Sequence, residues 1–202
     1  DEVVWSYEND EGTAELNRNT WSSSNPILLG FYSRTMAEVA IVNDFLRQST
    51  PEKLASRGIT NTTDVANIND YRNEVRVLRA YAYYNLMDLF GKAPFYDENS
   101  AINSQGPEYD RQALFTFIEN ELNAVLPNLK APKANEYGRV DQGVANMILA
   151  KMYLNAEVYI GAKKYTECMA KCATVISSGY TLNANYLNNF KADNNTSSEI
   201  IF

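Results

Sequence analysis

Hydrophobic residues recur at the three-to-four-residue spacing of α-helices along most of this chain, and polar stretches rich in Asn separate the helical blocks. The pattern predicts five helices, at residues 26–48, 64–90, 111–126, 142–159 and 162–178. Their ends carry residues that start or stop helices, namely Asn25-Pro26, Asp110, Asp141, Gly91, Gly161 and Gly179. The sequence is therefore typical of an all-α protein.

The segments outside these helices are predicted to be long irregular loops. Residues 1–25 are polar, carry isolated aromatic residues, and are expected to be irregular, whereas residues 26–178 form the helical region. Residues 179–202 read as an Asn-rich loop that closes on the apolar run Ile200-Ile201-Phe202. We expect this run to be a strand or a core segment whose packing partners lie outside the given sequence.

The last two predicted helices have the spacing of small and aromatic residues found in a tetratricopeptide repeat, in which two antiparallel helices pack together. The residues that carry the pattern are Ala150, Tyr153, Tyr165, Cys168, Cys172 and Val175. The first two helices are expected to form a second pair. We therefore predict an all-α fold of tetratricopeptide-like helix pairs, an α-α superhelix with long irregular loops.

Cys168 and Cys172 are the chain's two cysteines, and they lie four residues apart in a predicted helix. Side chains at this spacing share one face, but their Cβ vectors run nearly parallel, which disfavours a disulfide. A redox or metal-binding pair is the functional alternative. Since the chain has no His and no further Cys to complete such a site, we expect both thiols to pack in the core.

The centre of the second helix is apolar on nearly every side, so other helices should surround it. Its aromatic residues are predicted to belong to the core; they are Tyr81, Tyr83, Tyr84 and Phe90. Arg76 and Arg79 share this region, and an Arg on an apolar helix is expected to pair with a carboxylate, for example Glu74 or Asp88.

Composition and charge exclude several classes of function. The 202 residues contain 18 Lys and Arg, 25 Asp and Glu and no His, which gives a net charge of −7. Without His there is no Ser-His-Asp or Cys-His catalytic group and no His-ligated zinc. The acidic balance argues against nucleic acid as a partner, because binding phosphates requires clustered Lys and Arg. No apolar stretch approaches the length of a membrane span.

The acidic residues do not indicate catalysis or a defined metal site. No two carboxylates stand out as a pair in contrasting environments, which a glycosidase needs, so the sequence favours a protein that is not an enzyme. Residues 8–12 and 192–199 are rich in oxygen atoms but do not match the calcium-loop pattern. A structural calcium ion stays open as an alternative, and no other cofactor is predicted.

The opening segment contains a candidate sugar-binding site. Trp5 and Tyr7 are two residues apart, so in an extended segment both rings would project from one side. Asn9 and Asp10 follow directly. Aromatic rings beside amide and carboxylate groups suit a sugar, whose C–H face stacks on a ring while its hydroxyls bond to planar polar groups. The alternative is a Trp that covers a helix end.

Two long stretches, residues 74–96 and 138–159, resemble the SusD/RagB family, the surface glycan-binding lipoproteins of Bacteroidetes nutrient-uptake systems. The residues of the first stretch that match the family pattern are Glu74, Arg76, Leu78, Arg79, Ala80, Phe90, Gly91 and Pro94. The Asn-Tyr-x-x-x-F of residues 185–190 and the closing SSEIIF agree as well. The likeness runs in order along essentially the whole chain.

The resemblance implies that this chain is the tetratricopeptide-bearing N-terminal domain of a longer protein, truncated at both ends. It implies non-catalytic binding of starch-like α-glucan or maltooligosaccharide at the outer face of the outer membrane. The glycan would pass to a TonB-dependent transporter of the SusC type. Contact with the membrane would occur only through a lipid anchor absent from this chain. Binding of a different glycan, or a scaffold role in the transporter complex without glycan contact, are the alternatives.

The same resemblance assigns roles to the opening residues. Trp5 stands where a starch-binding family member has a stacking Trp, and Tyr7 replaces a second Trp. Asp10 stands where that member uses an Asn to hold sugar hydroxyls, with Asn9 as its neighbour. The change to Asp keeps a hydrogen-bond acceptor and removes an amide donor.

Overall fold

The computed structural model describes residues 11–202, which form a predominantly helical domain. The α-helices are α1 (Thr13–Arg18), α2 (Pro26–Gln48), α3 (Pro51–Ser56), α4 (Thr62–Phe90), α5 (Arg111–Val125), α6 (Gln142–Leu154), α7 (Ala156–Ile160) and α8 (Tyr165–Ile176). Two short strands, β1 (Lys92–Pro94) and β2 (Glu108–Asp110), pair antiparallel. Single 3-10 turns occupy Leu126–Asn128, Tyr186–Phe190 and Asn194–Thr196. The predicted all-α class is confirmed.

The main helices begin at the capping side chains that the sequence indicated. Asn25, Asp110 and Asp141 each accept hydrogen bonds from backbone N–H groups in the first turn of α2, α5 and α6. Helix α4 begins two residues earlier than predicted, because the side chain of Asn61 caps it. It ends as predicted at Gly91, whose positive φ of 76° suits glycine.

Two short helices lie where the sequence predicted irregular chain. Helix α1 falls within residues 1–25, between Gly12 and Asn19, both of which have positive φ. Helix α3 falls within the predicted loop after α2, because Thr50 caps it and Pro51 has a φ preset for the first helical turn. Both helices have only six residues, too few for a periodic hydrophobic pattern to reveal them.

The second half of the chain differs from the prediction in three places. The predicted fourth helix is interrupted at Asn155, which ends α6 and precedes α7. Helix α8 begins at Tyr165, three residues later than predicted, after a segment in which the Lys164 ammonium binds Glu119. The closing run does not form a strand; Ile201 is half-buried against the core and Phe202 is exposed. No neighbouring strand within residues 11–202 is available to pair with it.

Helix α4 lies at the centre of the fold and packs against α2, α5 and α6. Its fully buried side chains include Val77, Tyr83, Leu86 and Met87. Helices α2 and α4 run antiparallel, because Arg72 donates to the Leu46 carbonyl oxygen while Phe90, at the other end of α4, packs against Tyr32. The predicted first pair of helices is therefore present, and α6 packs on α8 as the second pair.

The predicted core aromatics and repeat residues are mostly buried, with two exceptions. Tyr83 and Tyr84 are buried and Phe90 is half-buried, but Tyr81 is 38% exposed. Tyr165, expected to pack between the last two helices, is 45% exposed and donates its hydroxyl proton to Glu157. A half-exposed Tyr satisfies the helical spacing equally well, because its hydroxyl can reach water.

The two arginines of the family-like motif pair with a carboxylate on another helix, and the predicted partners Glu74 and Asp88 are wrong. Arg76 and Arg79 both bind Glu121 of α5, at N–O distances of 2.7 and 2.6 Å. Glu74 instead binds Arg139, and Asp88 accepts the hydroxyl proton of Tyr159. Periodicity placed the charges on α4 but could not show which carboxylate of another element would face them.

A second Arg79 contact extends this buried network to two other parts of the chain. Nη1 of Arg79 binds the amide oxygen of Asn43 on α2 and the carboxylate of Glu98 in the loop after β1. The Arg79 side chain is only 2% exposed. Helices α2, α4 and α5 and this loop are therefore joined by charge-assisted hydrogen bonds around a single guanidinium group.

Both cysteines are free, and they lie on the side of α8 that faces the core, as predicted. Burial and the neighbouring Cys172 thiol raise the pKa of Cys168. We expect Cys168 in the folded protein to react with a thiol reagent at neutral pH at least about tenfold more slowly than in the denatured chain, because only the thiolate is reactive. A time course with the Cys172→Ser variant, in buffer and in urea, isolates this thiol. Equal rates in the two conditions would contradict the buried placement.

Candidate functional site

The four residues predicted to bind glycan, Trp5, Tyr7, Asn9 and Asp10, lie outside the described residues. The structure does show how the chain that follows them is held. Gly12 precedes α1, and its carbonyl oxygen accepts a hydrogen bond of 2.9 Å from Nδ2 of Asn25. The position at which the predicted glycan-binding segment joins the folded domain is therefore fixed.

Asn25 makes this connection with a side chain that is only 1% exposed. Its Nδ2 also donates to Glu15 of α1, at 2.8 Å, while its Oδ1 accepts from the N–H groups of Ile27 and Leu28 at the start of α2. One amide thus caps α2 and ties α1 to it. An amide can do both because it offers donors and an acceptor on one planar group.

Gly12 is required at this junction for two reasons. Its φ of +83° is unfavourable for other residues. A Cβ atom there would also lie 3.0 Å from both Nδ2 of Asn25 and the ring of Pro26. The backbone of residue 12 therefore lies directly against the first turn of α2.

An open groove lies beside this junction, and we call it the Trp21 groove. It has a volume of about 800 Å³ and is formed by the loop after α1, the first turns of α2 and the last turn of α4. Its lining residues are mostly aromatic or aliphatic and are Leu16, Trp21, Ser22, Ser23, Leu28, Leu29, Tyr32, Leu89 and Phe90. The antiparallel packing of α2 on α4 brings these distant positions together.

The walls of the Trp21 groove are built from aromatic rings in contact. The ring of Phe90 meets Tyr32 edge-on, with 5.3 Å between centroids, and stacks on Phe31 at 6.5 Å. Trp21 is 49% exposed, and Leu29 and Leu89 are 50% and 57% exposed. An apolar surface of this kind is unusual on a folded domain and marks a site of contact with a ligand or another segment of protein.

The groove can provide stacking and hydrophobic contact, with hydroxyl groups at one edge. The Ser22 hydroxyl lies 2.8 Å from that of Ser24, so these groups already have a partner close to the groove. No Asp, Glu, Lys or Arg side chain contributes to the lining. The chemistry of the site is therefore binding by surface complementarity rather than by charge.

The oxygen-rich tail has a structural arrangement of its own. The Glu199 carboxylate accepts from the backbone N–H of Asn183 and from Nδ2 of Asn189, and these hydrogen bonds lower its pKa. Ser197 donates to the side-chain oxygen of Asn189. Within residues 11–202, no three His, Cys, Asp or Glu side chains are grouped so that they could hold a metal ion. No helix in that range has the length and apolarity needed to cross a bilayer.

The sequence did not reveal the Trp21 groove. Phe90 was assigned to the core and Trp21 was only one of several aromatics in an irregular segment. The signal that was available is local: a Gly-x-x-Glu pattern at residues 12–15 before Asn25-Pro26, which the structure shows to be one hydrogen-bonded unit. Its meaning depends on the approach of two segments that are ten or more residues apart.

Comparison with known proteins identifies relatives along most of the chain. No family model matches. The starch-binding protein SusD of Bacteroides thetaiotaomicron is 33% identical over 194 residues, which cover 96% of this chain and 33% of that protein. A SusD-like protein of Bacteroides ovatus is 29% identical over 134 residues, or 62% of this chain and 24% of the relative. The chain therefore spans a third or less of the length of these relatives.

Solved structures give the same picture of the fold. Surface glycan-binding protein A from Bacteroides uniformis matches 93% of this chain with a TM-score of 0.74 and 24% identity, over 40% of its own length. Surface glycan-binding protein A from Bacteroides thetaiotaomicron, solved with laminarihexaose, matches 71% of the chain with a TM-score of 0.56 and 28% identity, over 29% of its length. The helical arrangement described above is the one these proteins share.

Proposed function

Since this chain belongs to the SusD/RagB family, we propose that it binds an oligosaccharide of the starch type, an α-glucan or maltooligosaccharide, without breaking any bond. The observation that carries the proposal is the 33% identity to a starch-binding protein over 96% of the chain. The binding would occur at the bacterial cell surface, and the glycan would be delivered to a TonB-dependent transporter of the SusC type.

The contacts are assigned to the opening segment. Trp5 and Tyr7 supply flat rings on which the C–H face of a pyranose stacks, and Asp10, with Asn9, bonds to the hydroxyls at its edge. The anchored Gly12 supports this assignment because it holds the end of the segment against α2. Affinity should be modest, since a solvated sugar loses much of its gain in contacts to the cost of ordering.

The choice of sugar is the open part of the proposal. One relative is named for starch, one solved neighbour holds laminarihexaose and another a xylogluco-oligosaccharide. Stacking on rings is shared by all such ligands, whereas the curvature of the chain and the position of its hydroxyls distinguish them. Asp10 offers only acceptors when ionised, so it would select a sugar that presents hydroxyl donors there.

We expect the protein to bind maltoheptaose in a calorimetric titration, and the Trp5→Ala variant to bind it at least about tenfold more weakly, because a buried aromatic contact typically carries a large share of binding energy. The Tyr137→Ala variant is the matched control, since Tyr137 is 65% exposed and lies far along the chain. Cyclic glucans, laminarihexaose and the xylogluco-oligosaccharide complete the panel. Unchanged affinity in the Trp5→Ala variant would remove the assigned site, and tighter binding of a β-glucan would replace starch as the ligand.

A second function is favoured by exposed apolar side chains on the repeat-like helices. Val158, Met169 and Ile176, on α7 and α8, are 69%, 72% and 76% exposed. Such positions suit a scaffold that binds the transporter and makes no glycan contact. Co-purification of the chain with a SusC-type transporter, together with no heat in any glycan titration, would favour this function over the first.

A further inference from the structure

We propose that the Trp21 groove is the seat of the segment before Glu11, so that Trp5 and Tyr7 rest on its apolar wall. The groove would then hold the two rings in place before any sugar arrives. The consequence for binding rests on the glycan-binding function proposed above, but the docking itself does not, and it can be tested without a ligand.

Chain length and direction support this occupant. Ten residues precede Glu11, and Gly12 is fixed against Pro26 by its contact with Asn25. An extended chain covers at most about 3.5 Å per residue, so Tyr7 lies within about 18 Å of Gly12 and Trp5 within about 25 Å. The groove begins at the same turn of α2, with Leu28 and Leu29. The rings are therefore within reach of it on a short tether.

The chemistry of the groove fits an apolar peptide segment. Four leucines and three aromatic rings line it, against two serines. A sugar alone would leave much of this aliphatic surface in contact with hydroxyl groups or water, which is unfavourable. The segment VVWSY, residues 3–7, is the apolar part of the opening ten residues and supplies two valines and two rings. Covering exposed leucines with these side chains removes both apolar surfaces from water.

Seating also explains how a ring can support a sugar. An aromatic ring has two faces, and a ring that rests on the groove with one face keeps the other for a pyranose. A ring already held in this way loses little conformational freedom when the glycan binds. Trp21, Leu29 and Phe90 are thus positioning residues, which act on the glycan through Trp5 and Tyr7 rather than by contact.

Tryptophan fluorescence tests the docking without glycan. The chain has two Trp residues, so the Trp21→Phe variant leaves Trp5 as its single fluorophore and keeps an aromatic wall. We expect Trp5 emission at shorter wavelength than in urea, and a quenching constant for acrylamide at least threefold below the denatured value. Adding Leu29→Ser or Leu89→Ser should raise the constant at least twofold. Ile41→Ser, on α2 but outside the groove and 71% exposed, should leave it unchanged.

The tether is tested by a change of one atom in Asn25. The Asn25→Asp variant keeps the oxygen that caps α2, but it loses the donor to Gly12 and places a second carboxylate beside Glu15. We expect helix content by circular dichroism to persist while Trp5 becomes more accessible to acrylamide. If this variant unfolds, the leucine variants decide the matter.

The outcomes separate this inference from the proposed function. Trp5 that is protected from acrylamide, in a protein that binds no glycan, supports the seat and removes the glycan-binding function. Trp5 that is quenched as in the denatured chain, or equally in the leucine variants and their control, overturns the seat. In that case glycan affinity that still depends on Trp5 leaves the proposed function standing.

Discussion

Replacing Glu121 by Gln should lower the free energy of unfolding by about 3–4 kcal/mol. The Glu121 carboxylate is 8% exposed and binds Arg76 through both of its oxygens, at 2.9 and 2.7 Å, and Arg79 through one, at 2.6 Å. Removing its charge leaves the buried Arg79 guanidinium with less compensation. Arg79 keeps Glu98 and Asn43, so the loss falls toward the lower end of the range for broken buried pairs.

Urea denaturation measures this loss, and an exposed ion pair supplies the control. Lys92 and Glu108 lie 3.0 Å apart with both side chains 64% exposed. The Glu108→Gln variant should change the free energy of unfolding by less than about 1 kcal/mol, because water screens the pair and both side chains are free to move. Equal effects of the two substitutions would show that burial around Arg79 contributes nothing special.

The Glu121 carboxylate also makes stability depend on pH. Burial by itself would raise its pKa, but the hydrogen bonds from Arg76 and the charge and hydrogen bond of Arg79 outweigh burial and hold the pKa below its usual range. A carboxyl whose folded pKa is lowered stabilises the fold fully above its unfolded pKa, about 4.3, and the contribution is lost as pH falls through the folded value. The Glu121→Gln variant should therefore lose less stability than the unmodified protein between pH 5 and pH 3.

Replacing Asp141 by Ala should cost about 2–3 kcal/mol of unfolding free energy, the second large effect. The Asp141 side chain is 4% exposed. One of its oxygens accepts the N–H groups of Gly143 and Val144 at the start of α6, and the other accepts the N–H of Lys133 in the preceding loop, at 2.7 Å. Alanine leaves three backbone donors without partners in a site that water reaches poorly.

Asp110 is the matched control because it caps α5 in the same way on an exposed surface. Its side chain accepts a single N–H, that of Ala113, at 2.8 Å. The Asp110→Ala variant should lose only about 1 kcal/mol in the same urea titration, the ordinary value of an N-cap. A loss at Asp141 no larger than at Asp110 would show that the contact with Lys133 has no role in stability.

These two carboxylates mark what the sequence could predict. A helix start depends on residues within one turn, so Asp110, Asp141 and Asn25 were identifiable from their position before apolar periodic segments. The partners of the α4 arginines were not, because Glu121 is more than forty residues from Arg76 in sequence. Many carboxylates compete for that role, and only the packing of α5 against α4 selects one of them.

The candidate site divides in the same manner. Trp5, Tyr7, Asn9 and Asp10 were selected by local spacing and by likeness to a family, and their role stays a prediction. The Trp21 groove depends on the antiparallel crossing of α2 and α4, which places Phe90 against Tyr32. Neither ring carries a local mark of this function, since an aromatic residue at helical spacing is normally a core residue.

Helix α4 has a consequence for how genes of this kind can vary in length. It runs for 29 residues, about 43 Å, with neither Gly nor Pro from Thr62 to Phe90. One inserted residue in its middle would turn everything beyond it by about 100° and carry Phe90 away from Tyr32 while Glu74 stayed with Arg139. Homologous genes should therefore gain and lose codons in the loop of residues 99–105 and keep the length of α4 constant, so that this helix serves as the ruler of the domain.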